Sequence, residues 1–163
     1  MKILFIGLGS IGQRHLRNLR RLLGNSAEIL AYRALRQVPM LNEQRQVVEG
    51  GSIKDLYHVR EFDDLGRALA EKPNIAFITN PSSMHVEAAL QAAKAGCHLF
   101  IEKPLGSNTD DVEKLINIVE QQKLVALVAY QLRFHPGLKQ VSKWLKEGRI
   151  GQPAWAHLVH GEF

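Results

Sequence analysis

A chain of 163 residues, 45% hydrophobic and 23% charged, is long enough for one domain with a real core and too balanced in composition for a disordered or fibrous protein. Its formal net charge of +5 favours an anionic partner, but no helix-turn-helix, zinc or RNA-binding pattern accompanies the positive charge, so a nucleic-acid binder is not expected. The lone Cys97 allows no internal disulfide, and no apolar stretch approaches the ~20 residues of a membrane span, so a cytoplasmic protein with no membrane partner is the expectation.

The start, Met1-Lys2 and then an apolar run, is cut by Gly7, Gly9 and Gly12 with no cleavage site after it, which argues against a secretory signal. In chain order, residues 3–6 read as a strand and 11–23 as a helix, with Leu16, Leu19, Leu22 and Leu23 on one side and arginines on the other. Arg14, Arg17 and Arg21 share a helical face, read as solvated. A second strand is predicted over 29–32 and a weaker one over 57–60. Strand 75–79 leads into a helix over 83–95, with Ser82 or Ser83 as its cap and Gly96 as its stop. Strand 99–101, a helix over 110–122 capped by Asn108 or Thr109, and strand 125–129 follow. These strands are nearly continuous in apolar character, as strands buried on both faces are, and their alternation with helices marks βαβ units around a parallel sheet.

After Tyr130 the pattern changes. Pro136 opens a helix with Val141, Trp144 and Leu145 on its apolar side, Gly148 closes it, and 153–159 is a β-prone run with no partner strand left to pair with. The expected organisation is a doubly wound, mostly parallel α/β sheet over 1–130, with 131–163 the beginning of a second α/β domain; the alternative for the last run is a terminal edge strand of one complete domain.

Gly7-Leu8-Gly9-Ser10-Ile11-Gly12 fits G-x-G-x-x-G between a strand and a helix. Gly7 permits a tight turn, Gly9 lets a pyrophosphate approach the backbone, and Gly12 lets the helix pack against its strand. The phosphates would sit at the helix N-terminus, where unpaired N–H groups and the positive dipole end point at the ligand. This is the Rossmann pattern for NAD or NADP, with Gly7, Gly9, Ser10, Ile11 and Gly12 as cofactor-binding residues. NAD-binding versions carry an acid ~20 residues further on that accepts from the ribose 2′-hydroxyl. Here Tyr32 and Arg33 stand there, with Arg36 just beyond, and a guanidinium suits a 2′-phosphate, so NADP is preferred over NAD. The alternative is a solvated loop arginine.

Thr79, Asn80 and Pro81, with His85 beyond, follow the strand ending where open α/β sheets bind ligands. His85 is read as facing either the cleft or water. Glu102-Lys103-Pro104 closes another strand on the same edge. Lys103 in that place either passes a substrate proton or is a solvated loop residue, and the residues alone leave both open. His15, His58 and His98 show no metal-ligand spacing, so no metal is expected.

Taken in order, Gly7 to Gly12 with the trailing His15, Asn80-Pro81 with His85 leading into Glu87-Ala88-Ala89, the run from Gly96 to Glu102-Lys103-Pro104, and Arg133-Phe134 with Pro136 resemble the glucose-fructose oxidoreductase, inositol dehydrogenase and MocA family of NAD(P)-dependent oxidoreductases. The resemblance covers nearly the whole chain. It implies a Rossmann domain followed by a substrate-binding α/β domain that often makes the homo-oligomer contact. It also implies a catalytic role for Lys103, a place for Glu102 and Pro104 at the nicotinamide end of the cleft, and one for Arg133 near the domain junction. Members of the family are about twice as long, so the resemblance implies a truncated chain holding the cofactor half, inactive alone. The implied substrate of the complete protein is a sugar, polyol or nucleotide sugar; the rival is a non-catalytic dinucleotide-binding or sensing module.

Overall fold

The computed structural model describes residues 1–33 and 38–159. The chain divides into two compact units, Met1–Ala129 and Tyr130–Phe163. In the first, the apolar runs become β1 (Lys2–Ile6), β2 (Glu28–Tyr32), β3 (Val59–Phe62), β4 (Ile75–Ile78), β5 (His98–Ile101) and β6 (Ala126–Val128). The helices between them are α1 (Ser10–Leu23), α2 (Ile53–Tyr57), α3 (Leu65–Ala70), α4 (His85–Lys94) and α5 (Val112–Gln121). The strands form one sheet in the order β3-β2-β1-β4-β5-β6, every neighbouring pair parallel. The doubly wound sheet expected from the sequence is therefore present. Its winding reverses between β1 and β4, so the loops after those two strands diverge and leave a crevice at their carboxyl ends.

Alternation along β1 divides the core into two layers. Ile3 and Phe5 face one side, with Leu16 of α1, Ile29, Ala31 and Phe77. Leu4 and Ile6 face the other, with Leu30, Ile78, Ile101, Leu115 and the alanines of α4. Phe5, Phe77 and Phe100 stack across three strands, with ring centroids 4.9 and 4.5 Å apart. The small side chains Ala88, Ala89, Ala92 and Ala93 let α4 lie close against the sheet, which fixes its first turn beside the crevice.

Several expectations are corrected. The predicted strand over 57–60 is displaced: Tyr57 ends α2, His58 turns the chain in the left-handed region at φ 48°, and pairing begins only at Val59. Helices α2 and α3 were not predicted. Each carries a cap that the sequence displays, Ser52 accepting from the Asp55 N–H at 3.2 Å and Asp64 from the Arg67 N–H at 2.7 Å, but both are too short to show a helical period. Neither Ser82 nor Ser83 caps α4, because a single 3₁₀ turn over Ser82–Met84 supplies the lead-in instead. Asn108 and Thr109 do not cap α5, which starts from Asp111 at φ 57°; the Asn108 side chain accepts from the Asp110 N–H. Gly96 does stop the helix before it, at φ 82°. The arginine face of α1 is only partly solvated. Arg14 and Arg21 are exposed, Arg21 pairing with Glu43, whereas Arg17 donates to the Leu41 carbonyl at 2.9 Å; Arg20, outside that face, donates to the carbonyls of Tyr57, Gly24 and Ala27.

Cys97 is fully buried, its thiol donating to the Pro73 carbonyl at 3.3 Å, and burial pushes its pKa up to about 11. At pH 8 the thiolate is then on the order of a thousandth of the population and out of reach as well. Iodoacetamide is expected to leave the folded chain unmodified at pH 8 and to add one label in urea, read by mass. Equal labelling in both conditions would contradict this burial.

The second unit holds a 3₁₀ turn over Gln131–Phe134 and α6 (Pro136–Lys146), with proline in its first turn. Gly148 follows at φ 68°. Glu147 pairs with both Lys143 and Arg149. The β-prone run over 153–159 forms no strand among the described residues.

Candidate functional site

The crevice is built by glycines that each meet a different constraint. Gly7 leaves β1 at φ 98°, and a Cβ there would lie 2.8 Å from the Asn80 nitrogen. Its carbonyl accepts from the Thr79 hydroxyl at 2.6 Å, so the loops after β1 and β4 are locked together at the point of closest approach. A Cβ on Gly12 would lie 2.5 Å from the Gly7 carbonyl oxygen and 3.0 Å from Thr79 Oγ1, which is why α1 can begin this close to β1 only with glycine at that position. Gly9 is different: nothing lies within 4 Å of where its Cβ would be. Helix α1 starts from Gly9 with no side-chain cap and no acid in its first turn, so its positive end faces that open space uncompensated.

That space is part of a cleft of about 400 Å³ lined by Gly7, Leu8 and Gly9 after β1, Thr79, Asn80 and Pro81 after β4, and Tyr32 and Arg33 at the end of β2. Ser10 is exposed and Ile11 half-buried, both lining a separate basin beside Arg14 and Arg17. Thr79 is 4% exposed and serves the loop lock. The donor set fits a dinucleotide: an uncapped helix N-terminus over an open glycine for the pyrophosphate, and an aromatic and a guanidinium where the adenosine end would lie.

Gln13, on the buried side of α1, fastens the glycine loop to the segment after β2. Its Nε2 donates to the Leu8 carbonyl at 3.1 Å and the Pro39 carbonyl at 3.0 Å, and its Oε1 accepts from the Leu41 N–H at 2.8 Å. Arg33 is held rather than solvated. Its side chain is 10% exposed, with Nη1 2.5 Å from Glu61 Oε1 on β3 and Nη2 donating to the Val38 carbonyl at 3.4 Å.

His85 faces neither the cleft nor water, which corrects both readings of it. It is 1% exposed, with Nδ1 2.8 Å from the Pro104 carbonyl and Nε2 2.8 Å from the Asn80 carbonyl. Placement at the buried start of α4 aims the ring at the backbone of the two loops, so it holds them rather than touching what lies between. A second tie runs from α1 to β5: His15 Nε2 is 2.6 Å from Glu102 Oε1, while Glu102 Oε2 accepts from the Lys103 N–H at 3.2 Å. Edge contact with Phe100, centroids 5.0 Å apart, orients the His15 ring. Lys103 follows β5 at the same carboxyl edge, exposed, with its backbone anchored by Glu102.

Arg133 belongs to the second unit, exposed, its N–H bonded to the Tyr130 carbonyl. Arg36 lies outside the described residues. Among the described residues no three His, Cys, Asp or Glu side chains group as metal ligands, and no helix is long and apolar enough to cross a membrane. The sequence reading passed over Gln13 and Glu61. Gln13 was visible as a polar residue one turn from Leu16 on the apolar face of a helix; nothing local marks Glu61.

A parallel sheet in this strand order, with a glycine-lined crevice at its switch point and an uncapped helix above it, defines a dinucleotide-binding domain. The chain belongs to the oxidoreductase family with an NAD-binding Rossmann fold named for glucose-fructose oxidoreductase, inositol dehydrogenase and MocA, whose model matches residues 1–130. It is 27% identical to the myo-inositol 2-dehydrogenase of Thermotoga maritima over 94% of this chain and 43% of that protein. With the inositol 2-dehydrogenase 3 of Saccharopolyspora erythraea it shares 29% over 95% of this chain and, again, 43% of the relative. The chain thus spans less than half the length of these curated relatives. Scyllo-inositol dehydrogenase from Lactobacillus casei, solved with NAD(H) and scyllo-inositol, shares the fold with a TM-score of 0.75 at 24% identity, covering 93% of this chain and 42% of that one.

Proposed function

We propose that this chain is the cofactor half of an oxidoreductase that moves hydride between a nicotinamide dinucleotide, NADP in preference to NAD, and a carbinol carbon of a cyclic polyol, sugar or nucleotide sugar. The observation that carries the reading is the contrast among the glycines: Gly7 and Gly12 are closed by backbone contacts, while Gly9 opens onto the uncapped start of α1. Relatives whose names specify inositol and UDP-N-acetylglucosamine as substrates support the substrate class.

The bound nicotinamide would supply the hydride acceptor or donor. The chain's own residues do the rest. The first-turn N–H groups of α1 bind the pyrophosphate, and Tyr32 and Arg33 receive the adenosine end, with Arg33 offered to a 2′-phosphate. Thr79, Asn80 and Pro81 form the opposing wall. Lys103, with its backbone fixed by Glu102, handles the proton of the substrate hydroxyl, and His15 keeps Glu102 in place. The whole protein is proposed to carry a substrate domain and to assemble as a homo-oligomer. A soluble cytoplasmic enzyme is the setting.

Isothermal titration of the chain with NADPH and NADH tests this. Both are expected to bind, NADPH more tightly, and Arg33→Ala is expected to weaken NADPH by about tenfold while changing NADH little. Equal loss for the two removes Arg33 from the 2′-phosphate site; binding of neither removes the dinucleotide reading.

A further inference from the structure

Arg33 meets a carboxylate before it meets any ligand. Resting on the dinucleotide reading above, we infer that Glu61 on β3 sets the cleft's discrimination between NADP and NAD, by neutralising the guanidinium that a 2′-phosphate would use.

The pairing is built by the sheet. Ala31 is in register with Glu61 and Tyr32 with Phe62, and the Arg33 N–H donates to the Phe62 carbonyl at 3.1 Å, so the backbones of both partners are fixed relative to each other. Glu61 Oε1 then lies 2.5 Å from Arg33 Nη1. With 10% of the Arg33 side chain exposed and 31% of that of Glu61, the guanidinium has little room to swing away, whereas the carboxylate is reached by solvent.

A phosphate monoester carries about −1.5 to −2 charges near neutral pH, so the carboxylate in the pair offsets part of the attraction of the guanidinium and narrows the preference for NADP. A ribose hydroxyl carries no charge and meets no such offset. Glu61 therefore acts on NADP and scarcely on NAD. It is a selectivity residue acting through Arg33.

Glu61→Gln keeps the side chain's size and one acceptor for the guanidinium while removing the charge. Titrated against both dinucleotides, E61Q is expected to gain about fivefold in NADPH affinity with NADH changed less than twofold, and the gain is expected to shrink at 0.5 M salt because the pair is partly exposed. A merely structural role for Glu61 would move both affinities together and would not depend on salt in this way. Glu61→Ser carries the same test if E61Q lowers the melting temperature. Binding of both dinucleotides with an unmoved ratio overturns this inference alone. A folded wild-type chain that binds neither overturns it together with the dinucleotide reading.

Discussion

Gly9→Ala is expected to leave the chain folded and to weaken NADH and NADPH binding by about a hundredfold, while Gly12→Ala is expected to damage the fold itself. Gly9 sits at φ −66° and ψ −170°, extended backbone that any residue adopts, and no atom lies within 4 Å of the added methyl group. Alanine at this cap position costs under about 1 kcal/mol. The methyl group would instead stand where the pyrophosphate must approach the α1 N–H groups, and that loss falls on binding. At Gly12 the same methyl group meets the Gly7 carbonyl oxygen at 2.5 Å, a contact with backbone that only a shift of α1 or of the β1 loop relieves. Overpacking of this kind costs about 1–3 kcal/mol, a fall of roughly 2–12 °C in melting temperature for a chain of this size. Thermal unfolding by circular dichroism and titration with NADH separate the two effects. A Gly9→Ala chain that binds as tightly as wild type would mean that the open space above α1 is not the pyrophosphate site.

The sequence displayed every strand but β3, the three long helices of the first unit and the glycine roles because each rests on a local pattern. Continuous apolar runs announced a buried parallel sheet, and G-x-G-x-x-G between a strand and a helix announced its switch point. Helices α2 and α3 were hidden because five and six residues cannot show a period, although their caps were on display. The ties around the cleft were hidden for another reason. A sequence shows that Gln13, His15, His85 and Arg33 can form hydrogen bonds, but not which group the fold brings to them. Glu61 is 28 residues from Arg33, and Glu102 is 87 from His15. Only the β2–β3 register and the return of β5 beside α1 make those pairs. A solvated Arg33 and a cleft- or water-facing His85 fail as expectations for this one cause: both side chains are held by distant parts of the chain.

His85→Ala is expected to lower stability by about 3 kcal/mol and to weaken dinucleotide binding as a consequence. The ring is 1% exposed and lies 2.8 Å from each of two carbonyls, Asn80 after β4 and Pro104 after β5, at least one of which accepts from a ring N–H, so truncation leaves an acceptor unpaired and a cavity beneath α4. Those carbonyls belong to the two loops that carry Asn80 and Pro81 on one side and Lys103 on the other. Loosening them blurs the cleft wall without removing any group that touches the ligand. His85→Gln, which restores an N–H donor but not the volume of the ring, is expected to recover part of the stability and part of the affinity together. This coupling distinguishes a positioning residue from a cleft contact. Were His85 to touch the dinucleotide, the alanine variant would lose affinity at an unchanged melting temperature, and that pair of measurements would return His85 to the binding surface.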